Sequence, residues 1–125
     1  MAVSDEFKDF ILDRLEGIGQ ITARRMFGGL GLYMDGMFFA LASDNILYFK
    51  VNENNLPDYQ ASGAKPFKPF GEKSYAMSYY EVPAEILDDD DALREWAMKA
   101  LDAARESLNS RETKKRRRKI RPNND

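Results

Sequence analysis

Two tight-turn signals divide the middle of the chain into three short strand-like runs, and this arrangement restricts the fold more than any other feature. Asp35-Gly36 is the kind of dipeptide that most strongly favours a two-residue hairpin turn, and Ser43-Asp44-Asn45 predicts a second turn. The flanking runs, residues 26–34, 37–42 and 46–51, contain alternating or continuous apolar positions typical of strands. Tight turns join antiparallel neighbours, so the sequence predicts an antiparallel meander.

Amphipathic helices are predicted on both sides of this meander. Ser4 is a suitable N-cap, and apolar residues then recur at helical spacing until Gly17–Gly19 ends the run. Near the other end, the carboxylates of residues 88–91 precede a long apolar stripe, which predicts a long helix with a negatively charged first turn. Trp96 belongs to this stripe, and its side chain is therefore expected to be buried.

The region between the meander and the long helix carries weaker signals. Asn55 followed by Leu56-Pro57 predicts a cap and a short helix, which Gly63 ends. The prolines and phenylalanines of residues 66–70 predict an edge strand or an irregular arm. Residues 74–82 are aromatic-rich and predict a further strand.

Together these elements predict a single α+β domain, with a mainly antiparallel sheet of four to five strands and with an N-terminal and a long C-terminal helix packed on it. A chain of 125 residues with 43% hydrophobic residues can bury one such core without disulfides. The domain is expected to cover residues 1–109. Residues 110–125 contain one large aliphatic residue, Ile120, and are predicted to form a basic, disordered tail.

The charge of the chain is divided between these two parts. Residues 1–110 hold 11 Lys or Arg and 19 Asp or Glu, a net charge of −8, whereas residues 111–125 hold 8 and 2, a net charge of +6. The overall net charge of −2 therefore conceals an acidic body joined to a basic tail.

The residue types that the chain lacks exclude several function classes. It contains no His and no Cys, which removes disulfides, the commonest metal ligands and the commonest general base. The remaining polar residues show no spacing that indicates a nucleophile beside an orienting base, so neither an enzyme nor a cofactor is expected. No window approaches the ~20 apolar residues of a membrane span, and no signal peptide is predicted. A cytoplasmic protein is expected.

Arg24-Arg25 followed by Gly28-Gly29 is the closest approach to a phosphate-binding loop, because glycines beside arginines expose backbone N–H groups to an anion. Arg24 and Arg25 are therefore candidates for an anion-binding or partner-binding surface. The alternative, which we favour, is that the glycines serve the backbone geometry of a bulge or of a strand start.

Two further clusters have structural alternatives that we favour. Asp88–Asp91 could hold a hard cation, but the residues lack the alternate ligand spacing of a calcium loop, and helix capping explains them better. The aromatic strip of Tyr75, Tyr79 and Tyr80 with Met77 could stack on nucleic-acid bases. Such strips more often face a core, and the acidic body would repel a phosphate backbone.

The tail is the chemically most distinctive segment. Its dense cationic run is able to bind nucleic acid or another anionic surface through counterion release without a fold of its own. The alternative is a solvated tail with no dedicated partner. The candidate nucleic-acid-binding residues are Lys114, Lys115, Arg116, Arg117, Arg118, Lys119 and Arg121.

Several segments together carry a resemblance to a known family. The two most specific are ARRMFGGLGLY, which ends at Tyr33, and MSYYEVP, which ends at Pro83. The others are Asp35-Gly36, Phe39-Ala40, residues 47–51, Gly63, Pro66-Phe67 and Trp96-Ala97. In these segments the chain resembles the N-terminal domain of the TfoX/Sxy family, bacterial proteins associated with the regulation of natural competence. The resemblance extends from about the first helix to Leu108.

The resemblance implies a small domain with a helix at each end of a five-stranded antiparallel sheet. It also implies co-activation of transcription beside a regulator of the cyclic-AMP receptor type, and it offers no catalytic residues. Relatives implicated in competence carry a second, C-terminal domain, whereas only the basic tail follows Leu108 here. The contribution of that second domain is therefore not carried over.

Three hypotheses follow. The first is a non-enzymatic regulatory protein that acts through a protein partner, such as the transcription machinery or a regulator. The second is a nucleic-acid-associated accessory protein whose tail binds phosphates without sequence preference, while the body recruits a partner or forms a homodimer. The third is a small-molecule binder or enzyme, which the lack of His and Cys disfavours.

Overall fold

The computed structural model describes residues 3–26, 28–68 and 78–120, and it describes side chains in the last range up to residue 109. Its elements follow one another along the chain, with a short 3-10 turn at Glu16–Ile18 after the first helix. They are α1 (Asp5–Leu15), β1 (Thr22–Met26), β2 (Gly29–Met34), β3 (Met37–Ser43), β4 (Ile46–Lys50), α2 (Leu56–Ser62), β5 (Tyr79–Glu81), α3 (Ala84–Leu87) and α4 (Asp90–Ile120).

The predicted α+β domain is confirmed. The five strands form one sheet in the order β1-β2-β3-β4-β5, and every neighbouring pair is antiparallel. The meander of β2, β3 and β4 agrees with the two predicted hairpins. The strand β1 was not recognised from periodicity, because its residues Thr22–Met26 include two adjacent arginines and are mostly exposed at a sheet edge.

Both hairpins use the left-handed backbone conformation that their turn residues tolerate. Asp35 and Gly36 have φ angles of 52° and 78°, and Asp44 and Asn45 have φ angles of 54° and 57°. Two successive positive φ angles are the mark of a type I′ turn, whose twist matches that of the flanking strands. Asp, Asn and Gly are the residues that adopt this conformation most readily, which explains why these turns were visible in the sequence.

The helices pack on one face of the sheet, and the core lies between the two layers. Ile11 and Leu15 of α1 are fully buried there, and α4 lies over β3 and β4. The buried positions of α4 are mostly Ala, and β3 also presents Ala, so the helix approaches the sheet closely. The buried residues of this interface are Leu30, Leu32, Ala40, Ala42, Leu47 and Phe49 from the sheet and Leu93, Ala97, Ala100, Leu101 and Ala104 from α4.

The close approach of a neighbouring strand's backbone explains why position 29 of the sheet is a glycine. A Cβ atom built on Gly29 would lie 2.5 Å from the carbonyl oxygen of Ala42, which belongs to the neighbouring strand and cannot rotate away. We expect Gly29→Ala to lower the free energy of unfolding by about 1–3 kcal/mol in urea denaturation, as overpacking does. Gly17→Ala is the control, because its Cβ would meet only the flexible end of Arg94, at 3.1 Å. Equal losses for the two variants would contradict this account.

The helix caps agree with the sequence. The Ser4 hydroxyl accepts a hydrogen bond from the Phe7 N–H at 3.1 Å, which caps α1. The Asp89 carboxylate accepts hydrogen bonds from the N–H groups of Asp91 and Ala92, both at 3.1 Å, which caps α4. The predicted capping role of the acidic run at residues 88–91 is therefore confirmed.

Arg14 joins the first helix to the start of the last one. Its guanidinium donates to the Leu87 carbonyl from Nε at 3.1 Å and from Nη2 at 2.6 Å, and it forms an ion pair with Asp90. The side chain therefore satisfies a carbonyl at the end of α3 while it neutralises one of the carboxylates in the first turn of α4.

Two predicted side-chain environments need correction. Trp96 is half-buried rather than buried, because it lies beside the stripe of Leu93, Ala97 and Ala100 and packs edge-on against Tyr59 with ring centroids 4.6 Å apart. Asn55 occupies the predicted cap position of α2, but its side chain does not cap that helix.

The Asn55 side chain instead organises the loop between β4 and α2. It is buried, donates from Nδ2 to the Lys50 carbonyl at 3.1 Å and accepts at Oδ1 from the Asn52 N–H at 2.7 Å. Both polar groups of the amide therefore have partners, as a buried side chain requires.

The Tyr59 side chain has a buried hydroxyl that makes no hydrogen bond with any described residue. Its side chain is 1% exposed, and burial raises the pKa of its hydroxyl well above the ordinary value of 10.0, with a smaller contribution from the charge of Asp58. In the folded state this group therefore keeps its proton at pH values where the unfolded chain loses it.

This asymmetry predicts an alkaline destabilisation that depends on Tyr59. Above pH 10 the folded state binds more protons than the unfolded state, so stability falls as the pH rises, by up to about 1.4 kcal/mol per pH unit for one group. We expect Tyr59→Phe to remove this part of the loss and to leave neutral-pH stability unchanged or slightly higher. The free energies of unfolding of the wild type and of Tyr59→Phe, measured with denaturant at pH 7, 10 and 11, test this prediction. An equal loss of stability with rising pH in both proteins would contradict the assignment of the effect to Tyr59.

The C-terminal segment extends beyond the core. Up to residue 109, where the described side chains end, the last buried residue of α4 is Ala104, and the α4 backbone continues to Ile120. The side chains of residues 110–120 and the whole of residues 121–125 lie outside the described part, so the predicted disorder of residues 110–125 stays a prediction. In the described ranges, no helix has both the length and the apolar character that crossing a membrane requires.

Candidate functional site

The face of the sheet opposite the helices, which we call the outer face, is the candidate site. Successive strand residues point to opposite faces, so the register assigns each residue to one side. The bulge in β3 interrupts this alternation between Phe38 and Ala40. The outer-face positions of the strands are Thr22, Arg24, Met26, Gly29, Gly31, Tyr33, Phe38, Leu41, Ser43, Ile46, Tyr48, Lys50, Tyr79 and Glu81.

Three aromatic rings and two cations form a continuous row across this face, which we call the aromatic row. The Tyr33 and Phe38 rings are stacked with centroids 5.1 Å apart, and the Phe38 and Tyr79 centroids are 5.3 Å apart. The Arg24 guanidinium lies 5.4 Å from the Tyr33 centroid at the β1 end, and the Lys50 ammonium, from β4, lies 5.2 Å from the Tyr79 centroid. Both distances are within cation–π range.

A β-bulge brings Tyr33 and Phe38 together. Leu32 pairs with Ala40, but Tyr33 pairs with Phe38, so Phe39 is an extra residue in β3. Phe39 is fully buried and belongs to the core on the helix side, while Phe38 is directed to the outer face. A bulge re-aims side chains in this way, and here it supplies one ring to the core and one to the row.

Gly31 makes room for the row. A Cβ atom at this position would lie 2.7 Å from Met26 Cε and 3.2 Å from Phe38 Cε1. The missing side chain therefore lets the Met26 thioether and the Phe38 ring share the space above β2.

The geometry of the row leaves ring edges rather than ring faces available. Tyr33 lies between Arg24 and Phe38, and Phe38 lies between Tyr33 and Tyr79, so their faces are taken up within the row. Tyr79 is only 5% exposed, and its hydroxyl donates to the Phe38 carbonyl at 3.4 Å. Stacking on a nucleic-acid base needs a free ring face. The half-exposed edges of Tyr33 and Phe38 suit a protein surface better than a base.

A second aromatic contact lies at the β5 side of the outer face. The Tyr48 and Phe67 rings have centroids 4.9 Å apart, and the Phe67 N–H donates to the Tyr79 carbonyl at 2.8 Å. Burial raises the pKa of the Tyr48 hydroxyl above its ordinary value, and the Glu81 charge raises it further. Pro66 forms an isolated bridge with Tyr80. The predicted edge arm therefore begins at Pro66-Phe67, while Pro69 and Phe70 lie outside the described residues.

The strand positions of the outer face carry few charged residues compared with the helical side. Among the strand positions of this face, Arg24 and Lys50 are cationic and Glu81 is anionic. On the opposite side, helices α1 and α4 carry nine acidic and five basic side chains up to residue 109. The acidic ones are Asp5, Glu6, Asp9, Asp13, Asp90, Asp91, Glu95, Asp102 and Glu106, and the basic ones are Lys8, Arg14, Arg94, Lys99 and Arg105. The described helical side is therefore more acidic than the strand positions of the outer face.

The structure separates the two arginines that the sequence pairs. Arg24 is exposed on the outer face and has no ion pair with a described residue. Arg25 points to the helix side, where its guanidinium lies 3.1 Å from the Asp5 carboxylate and 3.5 Å from the Val3 carbonyl. Because neighbouring strand residues alternate, these side chains do not form one anion-binding pair. Gly28 has a φ angle of 76° in the turn before β2, which agrees with a backbone role for the glycines.

The structure also separates the residues of the predicted aromatic strip, and some of the predicted site residues lie outside the described part. Tyr79 belongs to the aromatic row, whereas Tyr80 points to the helix side and packs against Tyr59 with centroids 5.8 Å apart. Tyr75 and Met77 lie outside the described residues, as do the side chains of the seven tail cations between Lys114 and Arg121. Their predicted contact with nucleic acid stays a prediction. Within the described part, no group of three or more carboxylates is placed to hold a metal ion.

The aromatic row could not be found from sequence periodicity alone. Alternation identifies Tyr33 as a residue pointing away from the apolar side of β2. The position of Phe38 depends on the extra residue in β3, and Tyr79 reaches the row from a strand that lies 29 residues beyond the end of β4 in the sequence. Neither the bulge nor this long-range pairing leaves a local signal.

A family model described as "TfoX N-terminal domain" matches residues 13–104. The matched range begins within α1, includes the five described strands and ends at Ala104, a buried residue of α4. No curated protein matches the chain.

Proposed function

Because the chain belongs to the family of the TfoX N-terminal domain, we propose that it is a bacterial regulatory protein that acts by contact with a protein partner and not by catalysis. The partner is a component or a regulator of the transcription machinery, which places the protein in the cytoplasm. Co-activation of transcription, including that of competence genes, is the role that family membership favours.

The observation that carries this proposal is the arrangement of the aromatic row. Its exposed parts are the edges of Tyr33 and Phe38, with Met26 beside them and Arg24 at one end. Tyr, Phe, Met and Arg are the residue types enriched at protein interfaces, and preordered aromatic and Arg side chains contribute most of the binding energy there. Since the rings are already held by one another, little side-chain entropy is lost when a partner binds.

The chemistry of the outer face supports binding rather than catalysis. A catalytic site needs a nucleophile or an acid–base pair with a suitable pKa. The Tyr48 hydroxyl has its pKa shifted upwards, away from neutrality, and the chain contains no His or Cys. The available groups are therefore suited to recognition.

Affinity capture tests the proposal and separates it from its alternatives. The tagged full chain is immobilised, exposed to a bacterial lysate with and without nuclease, and washed in 0.3 M salt. A protein that is retained in nuclease-treated samples and binds the purified chain directly supports the proposal. Loss of all retained protein with nuclease favours the nucleic-acid alternative.

A separate measurement tests the small-molecule alternative. In thermal unfolding of the purified chain with a panel of metabolites, a metabolite that raises the thermal midpoint favours that alternative.

A further inference from the structure

We propose that the open edge of β1 binds an extended segment of the partner protein as a sixth, antiparallel strand of the sheet, with an acidic residue of that segment opposite Arg24. The inference rests on the proposed function, and it adds the surface, the mode of binding and the chemistry of the bound segment.

The two edges of the sheet end differently. At the β5 edge, a segment of the chain itself lies alongside the strand, because the Phe67 N–H donates to the Tyr79 carbonyl at 2.8 Å and the Glu81 N–H donates to the Lys65 carbonyl at 2.9 Å. At the other edge, no described residue forms a backbone hydrogen bond with the outward side of β1, Thr22–Met26. In the described part of the chain, β1 is therefore the edge that can accept a further strand.

The register of the β1–β2 hairpin identifies the groups that this edge offers. Met26 pairs with Gly29 across two intervening residues, and the pair that flanks a two-residue turn is a hydrogen-bonded one. Hydrogen-bonded and non-hydrogen-bonded pairs alternate along an antiparallel ladder, so Arg24 also bonds to β2, whereas Ala23 and Arg25 direct their N–H and C=O groups outwards. An added antiparallel strand is therefore held by the main-chain groups of Ala23 and Arg25.

Arg24 selects the charge of the residue that lies between these bonds. In the added ladder its position is a non-hydrogen-bonded one, where facing Cα atoms are closest, about 4.5 Å apart. The Arg24 side chain is exposed, rests against the Tyr33 ring and has no ion pair with a described residue. Arg25, on the other face, already lies 3.1 Å from the Asp5 carboxylate. A carboxylate opposite Arg24 therefore completes a cross-strand ion pair, and the residue opposite Arg25 needs no charge.

A second copy of the chain fits this edge less well than a segment of another protein. Antiparallel pairing of β1 with itself over its 5 residues places Arg24 opposite Arg24, and like charges directly opposite each other are destabilising. Each body also has a net charge of −8, which opposes the approach of two copies. The arginines of β1 therefore disfavour self-pairing and favour a different occupant.

Peptide selection followed by amide exchange tests the proposal on the purified full chain. The probe is a synthetic peptide chosen from a random library of 12-residue peptides displayed on phage. We expect the selected peptides to share a stretch of about five residues that lacks Pro, is rich in β-branched or aromatic residues and carries Asp or Glu at its centre. At saturation with such a peptide, hydrogen exchange of the Ala23 and Arg25 amides should slow by about tenfold or more. The Arg24 amide already bonds to β2, so its exchange should change by about twofold or less.

Two sets of changes separate the main-chain contacts from the ion pair. N-methylation of either neighbour of the central acidic residue removes an N–H that bonds to Ala23 or Arg25, and it should weaken binding by about tenfold or more. N-methylation of the acidic residue itself is the matched control, because its N–H points away from β1, and it should change the Kd by about threefold or less. Arg24→Glu should also lose about tenfold in affinity and should instead bind the peptide in which Lys replaces the acidic residue. Arg105→Glu, a charge reversal on α4, is the control for charge and should leave the Kd within about twofold.

Each outcome decides the matter. Unchanged exchange of the Ala23 and Arg25 amides, equal effects of the three N-methylations, equal binding to wild type and Arg24→Glu, or no selected peptide would overturn the proposal. Slower exchange of these amides as the concentration of the chain alone rises would assign the edge to a second copy, which also overturns it.

One variant separates this inference from the proposed function. Ala23→Pro removes an outward N–H at an edge position of the kind that tolerates Pro, and its thermal midpoint is measured as a check of the fold. If a captured partner binds wild type and Ala23→Pro equally, this inference fails while the proposed function stands.

Discussion

Replacing Tyr59 by Ala is expected to lower the free energy of unfolding by about 3–5 kcal/mol, the range for removing a buried aromatic ring. Tyr59 is the one buried residue of α2, and its ring contacts Tyr80 of β5 and Trp96 of α4 with centroids 5.8 and 4.6 Å away. Its removal therefore separates α2 from both layers of the core. For a small domain this loss is a large part of the total stability.

Three companion variants make the Tyr59→Ala measurement specific. Tyr59→Phe keeps the ring and should retain neutral-pH stability, because the hydroxyl has no partner among the described residues. Trp96→Ala should be less destabilising than Tyr59→Ala, since Trp96 is half-buried. The double variant should lose less than the sum of the two single losses, because both residues share one contact. Urea unfolding at pH 7 compares these four variants with the wild type. A smaller loss of stability for Tyr59→Ala than for Trp96→Ala would contradict the assigned packing.

The contrast between Tyr59 and Trp96 shows what helical periodicity can and cannot predict. The stripe of Leu93, Ala97 and Ala100 was visible in the sequence because it repeats at helical spacing, and it is indeed buried. Trp96 stands next to that stripe, and a residue at the margin of an apolar face is buried only if another element covers it. Tyr59 covers one edge of the indole, and this contact between α2 and α4 has no local signal.

The sheet shows the same division between local and long-range information. The turns at Asp35-Gly36 and at Asp44-Asn45 were predictable, because two adjacent residues suffice to favour the left-handed backbone. The strand β1 was missed, since an edge strand that carries Arg24 and Arg25 buries too little to show apolar alternation.

The candidate site was less predictable than the fold. Arg24 was singled out in the sequence, but it was paired with Arg25, and strand alternation places the two on opposite faces. The stacking of Tyr33 on Phe38 requires the bulge at Phe39, which depends on how β3 fits against both neighbours. Sites composed of side chains from several strands depend on register, and register is a property of the whole sheet.

Truncation after Asn109 is expected to abolish any binding of the chain to duplex DNA while leaving the fold intact. The body has a net charge of −8 and the outer-face rings lack free faces for stacking, whereas seven cations lie between Lys114 and Arg121. If the seven cations contact phosphates, the slope of log K against log salt approaches −0.9 per contact, and the affinity falls by about 10³ or more between 50 and 200 mM salt. The fold should survive, because Ala104 is the last buried residue among the described side chains and the family match ends at residue 104.

Two comparisons separate the charge of the tail from its length and from sequence recognition. Replacing the seven cations by Gln keeps the length of the chain, so an equal loss of DNA binding in this variant and in the truncated chain assigns the binding to charge. Fluorescence anisotropy with one duplex and its scrambled counterpart, at several salt concentrations, gives the slope and the specificity ratio. Because phosphate contacts carry no sequence information, equal affinities for the two duplexes are expected. Binding that survives truncation, or a many-fold preference for one duplex, would show that the folded body recognises DNA, and Arg24 and Lys50 would then be the first residues to test.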